Sequence, residues 1–397
     1  MHVCTDVLDI GADTVYCPAS TGGDDAAQDD EEVVMTTGTM QAVVCHGPED
    51  YRLEQVPVPA LPGGGALVRV EAVGICASDL KCYHGAAKFW GDEHRAPWAE
   101  RGRVPGHELV GEVVEITDEA AARWGVAVGD RVVSEQIVPD WDCRYCLRGA
   151  YHMCATHDMY GFKTYDGGMA EYIAFPPKAL VHKISKDLPP AHAAFAEPLS
   201  CALHAVERAD IQFEDVVVVA GCGPIGLGMI AGAKAKGAAK VVALDAISSK
   251  LELARAAGAD VVLDITSDDI YAVVRDLTGG FGADVYLEGT GHPAAVKQGL
   301  TLLRKLGTYV EYGVFGAEAS ADWSIISDDK ELDVRGAHLG PHTWPKAVQM
   351  IESGVLPLDR ICTHQLPLSR FQEGLDLVAS GASSVKVSLI PDPSFTG

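Results

Sequence analysis

The sequence predicts an α/β protein in two parts: a β-rich domain interrupted by a doubly wound parallel sheet. Three observations carry this. Short apolar strands, punctuated by Gly and Pro, fill residues 40 to about 195. From there to about 340, apolar strands alternate with helical segments, the rhythm of a parallel sheet with helices on both faces. Beyond 340, a helical stretch at 347–351 and an apolar run at 385–390 read as a return to the first part.

In chain order, the first part holds strand-like runs at 42–44, 66–70, 112–116 and 131–133, separated by stretches such as Pro62-Gly63-Gly64-Gly65. The second holds strands at 216–219, 240–244, 261–263, 283–287 and 307–311. Helices follow at about 224–236, 249–257, 268–277 and 293–303. The expected organisation is an extension over 1–39, the first part of the β-rich domain over 40–196, the parallel sheet over 197–340, and the return over 341–397. A cysteine-rich lobe occupies about 139–155. The extension is acidic from Asp6 to Glu32, has no Lys or Arg, and reads as a disordered tail. It lacks the charge pattern of a signal or transit peptide.

A formal net charge of −25 argues against nucleic acid or an anionic membrane as the main partner, since both would repel the chain. Eleven cysteines without a secretory segment point to a reducing, cytoplasmic setting and to metal ligation rather than disulfides. The apolar run 216–233 approaches membrane-spanning length, but its glycines and Pro224 belong to another motif.

That motif is Gly221-Cys222-Gly223-Pro224-Ile225-Gly226, a G-x-G-x-x-G between an apolar strand and a helix. Asp245, at the end of the next strand, completes the dinucleotide context. Gly221 permits the tight turn, Gly223 lets backbone approach a pyrophosphate, and Gly226 lets helix pack on strand. Pro224 suits the first helical turn, where a missing N–H costs nothing. Asp245 can accept ribose hydroxyls and repel a 2′-phosphate, favouring NAD over NADP. Lys250 lies within reach of the same ribose.

Two further constellations suit zinc. Cys76, His107 and Glu108 offer a thiolate, an imidazole and a carboxylate for an open, catalytic site, with Glu197 a plausible fourth member. Asp140, Cys143, Cys146 and Cys154 resemble a closed structural site, in which Asp140 stands three residues before Cys143, where a fourth ligand belongs. His152 and His157 are weaker substitutes for it.

The order Gly-x-Cys-x-Ser-Asp at 74–79, Gly-His-Glu at 106–108, the cysteine lobe, Glu-Pro-Leu at 197–199 and the glycine motif at 221–226 resembles the zinc-containing medium-chain dehydrogenases. The likeness spans 40–391 and is strongest for the sorbitol- and threonine-dehydrogenase branch. Stretches 83–90 and 310–316 resemble its bacterial members that oxidise four-carbon polyols. The resemblance implies a GroES-like catalytic domain with an inserted Rossmann domain, and oxidation of a small polyol, erythritol or L-threitol, by NAD. It implies Cys76, His107 and Glu108 as zinc ligands, and Glu197 as a ligand or a partner of zinc-bound water. It further implies Ser78 as the group taking the alcohol proton and Asp79 as the orienter of the ligand histidine. A homo-oligomer, dimer or tetramer, is also implied.

Two positions depart from the family pattern. Asp140 replaces the first lobe cysteine, and Lys81 stands where relatives often carry a relay histidine, with His84 nearby. Tyr83, Lys81, Glu93 and His94 are candidate partners for further substrate hydroxyls. The alternative readings are a sorbitol-, threonine- or butanediol-type dehydrogenase, a zinc-independent quinone or enoyl reductase of the same fold, and a non-catalytic nucleotide-binding protein.

Overall fold

The computed structural model describes residues 38–381 and 384–392, so nearly all of the acidic extension lies outside the described residues. The valine-rich segment Val216–Ala220 is buried along its whole length and forms the first strand of a six-stranded sheet. It is flanked on one side by Lys240–Asp245 and Val261–Asp264, and on the other by Ala283–Glu288, Leu303–Glu311 and Asp333–Gly336. Every pairing is parallel. In chain order the strands read third, second, first, fourth, fifth, sixth, the Rossmann order, in which ligands sit at the switch between the first and fourth.

Element bounds differ from expectation where local chemistry intervenes. The helix expected from 268 starts at Ile270, because the Asp269 carboxylate caps it by accepting the Ala272 N–H at 3.0 Å. The last expected strand, 307–311, begins at Leu303. The sixth strand, Asp333–Gly336, is mostly exposed and carried no apolar pattern.

The β-rich part contains a hairpin, Thr39–Gly47 with Asp50–Pro57, and a seven-stranded sheet centred on Ala66–Gly74 and Glu108–Ile116. The returning segment supplies His364–Pro367 and Val387–Ile390 to the edge of this sheet. No helix among the described residues is long and apolar enough to cross a membrane; the run 216–233 resolves into strand, turn and the helix Pro224–Lys236.

The helix Ala196–Ala209 joins the two parts. Its buried face meets the helix Pro224–Lys236 so closely that a Cβ at Gly228 would lie 2.6 Å from the Ala202 Cβ. At Gly232 a Cβ would lie 2.9 Å from Leu203 Cδ2. Larger residues would force these helices apart.

Glu288 and Glu311 face each other at the C-terminal ends of paired strands. Burial and the Glu288 charge push the Glu311 carboxyl up to about 8, while Tyr309 Oη donates to it at 2.9 Å. A carboxyl raised by folding stabilises the fold fully at pH values below its unfolded value, near 4.3, and loses that contribution as pH rises toward about 8. Glu311→Gln should therefore flatten the decline in melting temperature between about pH 5 and pH 8. Parallel declines in both proteins would show that this pair does not control it.

Candidate active site

Strand pairing assembles the first cluster. Gly74 lies opposite Glu108 in the antiparallel ladder, which sets Cys76, two residues on, beside His107 and Glu108. A side chain at Gly74 would collide with Glu108 and Lys386, and Gly106 turns the chain into His107 with φ +95°. Ligand atoms of Cys76, His107 and Glu108 all lie within 4.8 Å of one another. Bonds of about 2.0–2.3 Å to one zinc ion would place donors at such separations.

The surroundings fit a metal. His107 and Glu108 are buried, and Cys76 caps the short helix Ala77–Tyr83. Asp79, on that helix, accepts the Cys76 N–H at 2.9 Å and brings Oδ1 to 3.4 Å from His107 Nδ1. These two buried atoms have no other partner. An imidazole that gives Nε2 to a metal keeps its proton on Nδ1, facing such a carboxylate. Ser78 Oγ lies 3.4 Å from His107 Nε2, on the cavity wall.

Glu197 stands outside the three-donor grouping. It sits in the first turn of Ala196–Ala209, where Gln136 Nε2 donates to its Oε1 at 2.6 Å and the Cys201 thiol approaches at 3.5 Å. Burial and the Glu108 charge raise its carboxyl to about 7. Gln136 is a site neighbour that sequence reading missed, and so is Lys386. The buried Lys386 ammonium pairs with Glu108 and donates to the Ile75 carbonyl at 3.0 Å. A lone lysine inside an apolar strand-forming run was the available signal.

The same cavity, about 1150 Å³, is also lined by Gly221, Gly223, Pro224, Ile225, Asp245 and Lys250. Gly221 adopts φ +90°, a Cβ on Gly226 would collide with the Gly221 carbonyl, and Gly223 faces open space. The turn therefore keeps room for a phosphate at the N-terminus of Pro224–Lys236. The Asp245 carboxylate is fixed by the Cys222 and Ile247 N–H groups at 2.8 and 2.9 Å, each oxygen retaining a free lone pair.

Of the expected hydroxyl partners, Lys81 alone lines the cavity, and its Nζ donates to the Val314 carbonyl at 2.6 Å. Tyr83 donates to Gln372, while His94 pairs with Glu93 on the surface. His84 pairs with Glu49 at 2.6 Å and is not on the cavity wall.

The second cluster gathers Asp140, Cys143, Cys146 and Cys154 within 4.8 Å, with Sγ–Sγ distances of 3.6 Å for Cys143–Cys146 and 4.0 Å for Cys143–Cys154. Asp140 Oδ1 accepts the N–H groups of Asp142 and Cys143, each at 2.9 Å. His152 instead packs against His204, and His157 against Trp98 and His338.

Comparison with known proteins follows the same division. The family model described as zinc-binding dehydrogenase matches residues 224–353, and that of the alcohol dehydrogenase GroES-like domain matches 62–186. The chain is 70% identical to the erythritol/L-threitol dehydrogenase of Mycolicibacterium smegmatis, over 89% of this chain and 98% of that protein. It is 31% identical to a sorbitol dehydrogenase of Bombyx mori, over 86% and 96%. Its fold matches 2R,3R-butanediol dehydrogenase from Bacillus subtilis with TM-score 0.78 and 28% identity, over 89% and 100%.

Elemental analysis should find two metal equivalents per chain. Cys146→Ser should lose one while Cys76→Ser loses the other, and abolition of both by either substitution would contradict two independent sites.

Proposed function

The chain belongs to the zinc-binding dehydrogenase family, and from that premise we propose that it oxidises a small polyol, erythritol or L-threitol, to the ketose with NAD. One observation carries this reading: thiolate, imidazole and carboxylate meet in the same cavity as the glycine turn and Asp245. The identity to the mycobacterial enzyme supports the substrate class.

Cys76, His107 and Glu108 would hold zinc, with Asp79 orienting His107. Bound zinc supplies Lewis acidity toward a carbinol hydroxyl, and bound nicotinamide supplies the hydride acceptor. Ser78 Oγ, on the cavity wall beside the donor set, would take the carbinol proton as it passes its own hydroxyl proton on toward solvent. Glu197, held by Gln136 and poised near neutrality, is a neighbouring proton acceptor rather than a fourth ligand. Lys386 balances Glu108 in a buried setting, where an unpaired carboxylate would be costly. The turn at Gly221–Gly226 would hold the pyrophosphate, and Asp245, with Lys250 alongside, would accept hydrogen bonds from the ribose hydroxyls. A 2′-phosphate would meet the fixed Asp245 charge, which favours NAD.

Asp140, through a carboxylate oxygen, and Cys143, Cys146 and Cys154, through sulfur, would hold a structural zinc in the lobe. We infer a homo-oligomer as well, consistent with the open edge strand Asp333–Gly336 and its half-exposed Val334; light scattering reads its mass.

Purified protein should reduce NAD with erythritol or L-threitol and lose turnover on metal removal, regaining it with added zinc. Full activity after verified metal loss would refute the zinc reading. Asp79→Asn should lower activity or metal affinity about 10–100-fold, as loss of such an orienting carboxylate does. In the same assay Asp245→Ala should narrow the preference for NAD over NADP, and an unchanged ratio would place ribose recognition elsewhere.

A further inference from the structure

Beyond the metal-binding set, the cavity wall continues as a file of rings. His107 packs on Phe162 at a centroid distance of 5.3 Å, Phe162 on Trp98 at 5.1 Å, and Trp98 on His157 at 5.4 Å. His157 then stacks on His338 at 5.1 Å with 29° between the rings. The two histidines come from opposite parts of the molecule: His157 follows the cysteine lobe, and His338 follows the sixth strand of the parallel sheet. Both line the cavity, as does Lys88. Among the described residues, neither imidazole nor the Lys88 ammonium makes a side-chain hydrogen bond or ion pair. His157 also holds a left-handed backbone, φ 43°, which is uncommon outside glycine and clusters at functional sites.

Two half-buried imidazoles with no hydrogen-bond partner in the protein, beside the more exposed Lys88 ammonium, leave polar groups free to face a polar ligand in this cavity. We propose that His157, His338 and Lys88 form a subsite that binds the non-reacting hydroxyls of the substrate and so selects polyols over simple alcohols. The reading rests on the polyol dehydrogenase function and adds the groups that recognise the rest of the chain. Burial, reinforced by the partner imidazole and by Lys88, brings His338 down to about 3, and burial followed by Lys88 also lowers His157. The His338 ring is therefore neutral near pH 7, with one N–H donor and one acceptor nitrogen. That combination suits hydroxyl groups, which donate and accept. An anion would use donors only and leave the imidazole acceptor facing negative charge.

The test compares kcat/KM for erythritol and L-threitol with that for 2-butanol, in wild type, His338→Phe, His338→Gln and Lys88→Met. The ratio of polyol to 2-butanol efficiency should fall about tenfold in His338→Phe, chiefly through the polyol KM, as expected for loss of one hydrogen bond. His338→Gln, which keeps a donor and an acceptor, should recover most of it. An NAD titration by fluorescence verifies that each variant is folded. Equal loss on both alcohols would mean a structural role and overturn the subsite alone. A marked wild-type preference for erythronate over erythritol, abolished in Lys88→Met, would also overturn it in favour of an anion site. A wild-type enzyme active on 2-butanol but on no polyol would overturn the functional reading itself.

Discussion

The close approach of two helices sets the geometry of this molecule. Ala196–Ala209 carries Glu197 at its first turn, and Pro224–Lys236 presents its N-terminus to the glycine turn. Their contact leaves no space for a Cβ at Gly228 or Gly232, so backbone meets side chain directly. Packed interiors transmit such constraints because they have little free volume. The carboxylate beside the metal donors and the phosphate-facing turn are thereby held in one frame, although they serve different ligands.

Charge is managed locally, against the overall balance of the chain. The protein carries a formal −25, yet its cleft is lined by Lys81, Lys88, Arg95 and Lys250. Around the donor set each buried charge has a designated neighbour: Glu108 has Lys386, His107 has Asp79, and Glu197 has Gln136. Buried ionic groups are tolerated only with such partners, because desolvation otherwise outweighs attraction. Negative cofactor phosphates thus enter a cleft whose sign opposes that of the surface.

The sequence made most of this legible where chemistry is local. The glycine turn, Asp245, the first five parallel strands and the cysteine lobe could be read from short motifs, because each depends on near neighbours in the chain. The Cys76, His107 and Glu108 set was read from residue types and is assembled by pairing of two separate strands. The sixth strand, Asp333–Gly336, escaped because it is short and exposed. The helix bearing Ser78 and Asp79 escaped because it is only seven residues long and its N-cap is Cys76 rather than a customary capping residue. Gln136 and Lys386 were hidden for a different reason: their roles arise from packing between distant segments, and neither has a local pattern. His157 had been weighed only as a lobe ligand; its partner His338 lies far along the chain, so the stack existed only in three dimensions.

The ion pair between Lys386 and Glu108 has a bearing on biogenesis. The lysine lies 311 positions beyond Ile75, whose carbonyl it also binds, so Cys76, His107 and Glu108 are all translated before it. A nascent chain therefore possesses the three donors well before it possesses the cation that offsets one of them. The centre is completed only when the residue just before the strand Val387–Ile390 has been made and docked, so until then the buried carboxylate of Glu108 has no counter-charge.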